Sequence, residues 1–239
     1  SRCEKTRGVY DFSWLDTVVD NLLSRGIEVW FNVGYGNPLY MENIPNKTGV
    51  GCVPLFFGED CLAAWKNYVS ALAMHFAGRV KLFEIWNEPE NGSECWDGPF
   101  EDFFELFEIT AKHLKAKFPY IKIGGPAFAT IGIDRRRDDF LKYMKERNVP
   151  LDFFSWHTYR SEIAEYTKRI IAARKSLDDA GYTETESILN EWTYVINWHD
   201  GLRESKQHII GIKGAVFYLA TMITGQNNPL DMLMYYDAR

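Results

Sequence analysis

Two glutamates end apolar runs that read as buried strands. Glu88 closes the run Lys81-Leu82-Phe83-Glu84-Ile85-Trp86-Asn87-Glu88-Pro89, and Glu191 stands in Ser187-Ile188-Leu189-Asn190-Glu191-Trp192. Pro89 has no N–H to donate and stops the first ladder directly after its acid. A carboxyl group at the end of a buried strand is costly unless something uses it. One such glutamate alone reads as a solvated loop residue. Two, each preceded by Asn, read as a working pair. The chemistry that needs two strand-end carboxylates is cleavage of a glycosidic bond: one stays protonated and hands a proton to the leaving oxygen, and the other is ionised and attacks the anomeric carbon.

Other residues fit around that pair. Asn87 could hold a sugar hydroxyl. His157 and Tyr159 leave one strand end at i and i+2, so both face one side. A Tyr hydroxyl suits a nucleophilic carboxylate, because a hydrogen bond to the charged form keeps it ionised. Trp192, Trp156, Tyr35, Trp96 and Tyr236 are candidates to stack on sugar faces, since an aromatic ring is a flat apolar platform. Trp14, Trp30 and Trp65 read as core, and Glu84, mid-strand, as a buried paired acid. A Ser-His-Asp mechanism is disfavoured, because no GxSxG elbow is present.

The elements that must position these groups alternate. An N-cap signal at Asp11-Phe12-Ser13 precedes apolar residues at helical spacing from Trp14 to Arg25, with Gly26 as the stop. Residues 27–33 read as a strand and 34–59 as a long loop. Asp60 caps a helix through Ala77. A strand follows over residues 80–88, a loop over 90–98, and a helix from Pro99 to about Phe118. Strands at 121–126, 151–157, 186–191 and 231–236 are separated by helices near 137–147, 161–180 and 202–224. Helix-length crossovers between strands imply a parallel α/β sheet. No GxGxxG or Walker loop follows a strand, which weakens a nucleotide-binding reading. Chemistry at many different strand ends is the mark of the (β/α)8 TIM barrel. Six strands are readable over 1–239, a single catalytic barrel domain on this reading, with the first two barrel strands expected upstream of Ser1. Glu88 and Glu191 would then end the fourth and seventh strands, facing one another across the mouth.

Composition bounds the alternatives. The 239 residues are 46% hydrophobic, 15% aromatic and 25% charged, an ordinary globular profile. The net charge of −6 and the absence of a basic block disfavour nucleic acid as a partner; Arg135-Arg136-Arg137, followed by Asp138-Asp139, reads as a solvated helix start. No apolar run reaches the roughly 18 residues that span a bilayer, so no membrane partner is expected. Cys3, Cys52, Cys61 and Cys95 show no zinc spacing. Cys52 and Cys61 could pair as a small disulfide or stay free, which leaves the compartment open.

The residues also carry a family likeness. Trp86-Asn87-Glu88-Pro89 resembles the acid/base motif of clan A glycoside hydrolases, which are retaining (β/α)8 barrels. Val9-Tyr10-Asp11-Phe12-Ser13-Trp14-Leu15-Asp16, Phe83 to Pro89, and Asp152-Phe153-Phe154-Ser155-Trp156-His157-Thr158-Tyr159 resemble glycoside hydrolase family 39, which holds β-xylosidases and α-L-iduronidases. The resemblance implies Glu88 as acid/base and Glu191 as nucleophile. It implies that Asn87 binds the 2-hydroxyl and that His157 and Tyr159 line the cleavage subsite. Tyr236 stands where the family tends to have Trp, and Arg160 is a candidate partner for a uronic carboxylate. The expected function is a retaining, β-xylosidase-like exo-hydrolase of a glycan, needing no metal or organic cofactor. An endo-acting glycanase of the same clan and a non-catalytic carbohydrate-binding protein on a decayed barrel are the alternatives.

Overall fold

The computed structural model describes residues 2–44, 49–129 and 135–237. The chain divides into two compact units: Ser1–Pro126 with Glu146–Leu151, and Ala127–Lys145 with Asp152–Arg239.

In the first unit, helix α1 (Ser13–Leu23) precedes strand β1 (Trp30–Val33). The Asp11 carboxylate, rather than the Ser13 side chain, caps α1, accepting from the Ser13 N–H at 3.0 Å. Three short 3₁₀ turns (Pro38–Tyr40, Gly49–Gly51, Pro54–Phe57) occupy the expected loop. Helix α2 (Glu59–His75) ends before Gly78, whose φ of 79° is left-handed backbone that favours glycine. Strand β2 (Leu82–Ile85), a 3₁₀ turn (Pro89–Glu94), helix α3 (Phe100–Lys117) and strand β3 (Lys122–Phe128) follow. β1 pairs with β2, and β2 with β3, all parallel. Phe83, Ile85 and Trp86 are sealed against the aromatic face of α3, where Phe103, Leu106, Phe107 and Leu114 are fully buried. α2 joins α3 through Trp65, whose Nε1 donates to Thr110 Oγ1 at 2.9 Å.

The second unit holds the end of β3, α4 (Arg135–Glu146) up to Lys145, β4 (Phe153–Arg160), α5 (Ile163–Asp179), β5 (Glu186–Tyr194), α6 (Leu202–Ile209), α7 (Ile212–Gln226) and β6 (Met232–Tyr235). β5 pairs in parallel with both β4 and β6. The single helix expected near 202–224 is two, bent by 82° at Ile210-Gly211. Gly211 takes an extended conformation as the α7 N-cap, which interrupts the helical ladder. Among the described residues no single helix is long and apolar enough to cross a membrane.

Several expectations need correction. Trp14 is 53% exposed, with the Arg2 guanidinium 5.2 Å over its ring, so only Trp65 of the three presumed core tryptophans is fully buried. Arg137 turns inward and pairs with Asp138 at 2.8 Å. Of the two states left open for Cys52 and Cys61 the structure has the unpaired one: all four cysteines are free thiols, and Cys52 and Cys61 share an apolar cluster with Met41.

Candidate active site

Glu88 does not end its strand directly. β2 stops at Ile85, and a tight turn carries the chain over Trp86, Asn87 and Glu88 into Pro89. Trp86 (φ 70°) and Glu88 (φ 48°) are both left-handed, a conformation that costs a residue with a Cβ roughly 1 kcal/mol or more. The surroundings over-determine it. Asn32, at the end of β1, donates from Nδ2 to the Trp86 carbonyl at 2.6 Å and to Glu84 Oε2 at 2.8 Å. The Trp86 indole N–H donates to the Cys95 carbonyl at 2.7 Å, and its ring packs among Tyr35, Trp65 and Trp96. Buried Glu84 is therefore a strut, as expected, and Asn32 ties it to the turn.

The half-buried Glu88 carboxylate has two neighbours that sequence reading missed. Asn91 Nδ2 donates to Glu88 Oε2 at 2.8 Å, and the Cys95 thiol lies 3.8 Å from the same oxygen. Burial first, then the Glu88 charge and hydrogen bond, push the Cys95 thiol up to about 12, so it stays protonated and acts as a donor. Asn91 sits at i+3 on the 3₁₀ turn opened by Pro89, the only sequence signal that could have found it. Asn87 lies half-buried between the two left-handed residues.

The other carboxylate, in the second unit, depends on a β-bulge. Trp156 pairs with Leu189, but His157 pairs with Glu191, so Asn190 is an extra residue in β5. Side chains alternate faces along a strand. Without the bulge, Glu191 would share the face of Leu189 and Trp156, which is fully buried. With it, Glu191 shares the face of His157, while Trp192 pairs with Thr158 on the other. The Tyr159 hydroxyl donates to Glu191 Oε1, and His157 Nε2 lies 3.7 Å from Glu191 Oε2. His157 is completely buried and Tyr159 nearly so, whereas the Glu191 side chain keeps 24% of its exposure. The trio His157, Tyr159 and Glu191 expected from sequence is thus brought together.

The aromatic candidates divide. Trp192, 1% exposed, packs against Tyr166, Tyr218 and Tyr235, and Trp156 is sealed with its Nε1 donating to Ser187 Oγ at 3.2 Å. Neither offers a face to a sugar, because each lies across its strand from the Glu191–His157 face. Trp96 is likewise buried, donating to the Pro99 carbonyl. Tyr236 is 42% exposed and stands edge-on to Tyr159 at 6.2 Å. Tyr35 lines a cavity of about 350 Å³ in the first unit with Trp65 and Tyr68, and stands edge-on to Trp86 at 4.9 Å. Trp198, in the loop between β5 and α6, is 51% exposed and packs edge-on to Tyr159 at 4.9 Å. Arg160 donates to the Tyr159 carbonyl at 2.7 Å, a local brace rather than a bare cation.

The family description for Glycosyl hydrolases family 39 matches residues 2–190. The chain belongs to this family. A β-xylosidase of Geobacillus stearothermophilus is 30% identical over 166 residues, 64% of this chain and 31% of that protein. Among solved structures, a glucosidase from Croceicoccus marinus superposes with a TM-score of 0.76 at 24% identity, covering 98% of this chain and 47% of that one. A β-xylosidase from Caulobacter crescentus superposes with a TM-score of 0.75 at 20% identity, covering 95% of this chain and 48% of that one. At such identities the likeness speaks for the fold alone: α/β, of the TIM-barrel class. The chain spans about a third of the length of the Geobacillus β-xylosidase it matches.

Proposed function

We propose that this family 39 chain carries the two carboxylates of a retaining, β-xylosidase-like glycoside hydrolase, with Glu191 as nucleophile and Glu88 as acid/base. The observation that carries the reading is the environment of Glu191. A phenol donates to one oxygen and an imidazole lies beside the other, on one strand face. A donor on the charged form favours an ionised carboxylate, which is what attack requires. The similarity to β-xylosidases supports the choice of sugar.

In the first step Glu191 bonds to the anomeric carbon, the glycosidic C–O bond breaks, and the leaving oxygen takes the Glu88 proton. In the second, Glu88 takes a proton from water, the oxygen of that water bonds to the anomeric carbon, and Glu191 departs as a carboxylate. Two inversions give net retention. Asn87, adjacent to Glu88 in the turn, is the proposed donor to a sugar hydroxyl, and Tyr236 a wall of the sugar site.

The test is a pair of variants assayed on aryl glycosides. Glu191→Ala should lose turnover by several orders of magnitude, and azide should restore it with inverted product. Glu88→Ala should lose far more rate on poor leaving groups than on activated ones, because only the former need a proton. An active Glu191→Ala variant would sink the nucleophile assignment, and equal losses for Glu88→Ala on both substrates would sink the acid.

A further inference from the structure

The turn that carries Glu88 brings two donors with it. Asn91 lies on the 3₁₀ turn Pro89–Glu94, and Cys95 follows at its end. Asn91 Nδ2 donates to Glu88 Oε2 at 2.8 Å, and Cys95 Sγ lies 3.8 Å from the same oxygen. A thiol is a weak donor, and at that length its contact is the weaker of the two. The reaction as derived gives neither residue a part.

Both donors are held by the backbone of the same turn. The Asn91 N–H donates to the Glu88 carbonyl at 3.0 Å, and the Cys95 N–H to the Gly92 carbonyl at 2.8 Å. The Cys95 carbonyl accepts from the indole of Trp86, which is completely buried, so the thiol is anchored to the core by a residue two places before the acid. Between the donors, Gly92 turns the chain at φ 61° and ψ −145°, backbone that glycine alone adopts readily. A Cβ at Gly92 would meet no atom within 4 Å, so the turn requires glycine for its conformation and not for space.

Both contacts fall on one oxygen, and both donors are neutral. A protonated carboxyl has a carbonyl oxygen, the better acceptor, and a hydroxyl oxygen, which donates. Two donors on Oε2 make it the carbonyl oxygen and leave the proton to Oε1. The Asn91 amide carries no charge. Burial first, and then the Glu88 charge, push the Cys95 thiol up to about 12, so it too is neutral. Neutrality matters because an acid/base residue works in both charge states within one cycle. A neutral donor bonds Oε2 as a carbonyl in the first step and as a carboxylate in the second. A Lys or Arg in its place would favour the ionised carboxylate and disable the acid.

We propose that Asn91 and Cys95 are positioning residues for the acid/base: they fix the plane of the Glu88 carboxyl and place its transferable proton on Oε1. This rests on the reading of Glu88 as acid/base. The acid is thereby oriented by its own turn, within the first unit, through side chains at the third and seventh positions after it.

Two measurements on the full chain test it. The first reads the contacts without turnover. In Glu88→Ala the side-chain amide protons of Asn91 should move upfield by NMR, because they have lost their acceptor. The S–H stretch of Cys95, assigned as the infrared band missing from Cys95→Ala, should move to higher frequency for the same reason. Two unmoved signals would overturn the proposal. The second is kcat/KM, which reports the first bond cleavage, on aryl β-xylosides with good and poor leaving groups. Asn91→Ala should lower it roughly three- to tenfold on the poor leaving group and leave the good one nearly unchanged. Asn91→Leu, which keeps the shape of the side chain, should do the same. Cys95→Ala should act in the same direction and more weakly, and the double variant should lose most. A merely loosened turn would slow both substrates alike, and such equal losses would overturn the positioning role. If Glu88→Ala favours good leaving groups and the Asn91 variants do not, the acid stands and its positioning fails. If Glu88→Ala shows no such preference while both spectral signals move, the acid reading itself fails and takes the proposal with it.

Discussion

Glu88 and Glu191 have opposite surroundings, and each makes its own prediction. Glu191 accepts from a phenol, and losing a hydrogen bond to a charged group costs about 1.5–3 kcal/mol. Tyr159→Phe should therefore lower kcat/KM by roughly ten- to a hundredfold. Steady-state kinetics on an aryl glycoside checks this, and an unchanged kcat/KM would count against it. Glu88 shares an oxygen with Asn91 and the Cys95 thiol. Burial and the Glu88 charge both raise the thiol's pKa, so thiolate is scarce at neutral pH. Glu88→Gln removes the charge and lowers that pKa, so Cys95 should alkylate faster with iodoacetamide at mildly alkaline pH, as mass spectrometry of the labelled peptide will show. An unchanged rate would mean the thiol does not sense Glu88.

At the scale of elements, the bulge in β5 decides what its aromatics do. Trp192 falls on the buried side, so Trp192→Ala should cost about 3–5 kcal/mol of stability, a core truncation measurable by denaturant unfolding. A raised KM with unchanged stability would restore Trp192 as a sugar platform. The α2–α3 seam makes a pH prediction. His113 Nε2 lies 2.7 Å from Ser70 Oγ and 3.1 Å from the Lys66 carbonyl, and burial, with Lys117 beside it, holds His113 below its ordinary value of 6.5. As pH falls through 6.5, the unfolded chain takes up this proton before the folded chain does. The stabilisation is present above that pH and is lost as pH falls toward the folded value. His113→Gln should flatten the drop in Tm between about pH 7.5 and 5.5; an equally steep drop would place the acid sensitivity elsewhere.

At the scale of the molecule, no covalent staple joins the described residues. All four thiols are free, and Cys61, beside Cys52, is pushed up to about 11 by burial. The Tm should therefore be the same with and without reducing agent, and four thiols should titrate in denaturant but few in the folded chain. A Tm that falls on reduction would reveal a disulfide. The larger stabilising term is apolar burial, which gathers Phe83, Trp86, Phe103 and Phe107 in one unit and Phe153, Trp156, Leu189 and Trp192 in the other.

The sequence by itself determined the alternation of helices with parallel strands and the two acids worth asking about. Those signals are local: apolar periodicity, Gly and Pro stops, and a carboxylate that ends an apolar run. It also paired His157 with Tyr159, since i and i+2 on a strand share a face. It could not show which way Glu191 points, because one extra residue, Asn190, reverses the alternation, and a bulge exists only in the pairing with neighbouring strands. Nor could it separate the aromatics. Trp192 and Trp198 are the same residue type six positions apart, one buried on the far face of β5 and one half-exposed beside Tyr159. The turn that carries Glu88 through two left-handed residues was equally hidden, since it is held by Asn32, distant in sequence, and opens the site one turn past the strand. Residue types can be read from neighbours along the chain, but the face each one presents is decided by partners that only folding brings.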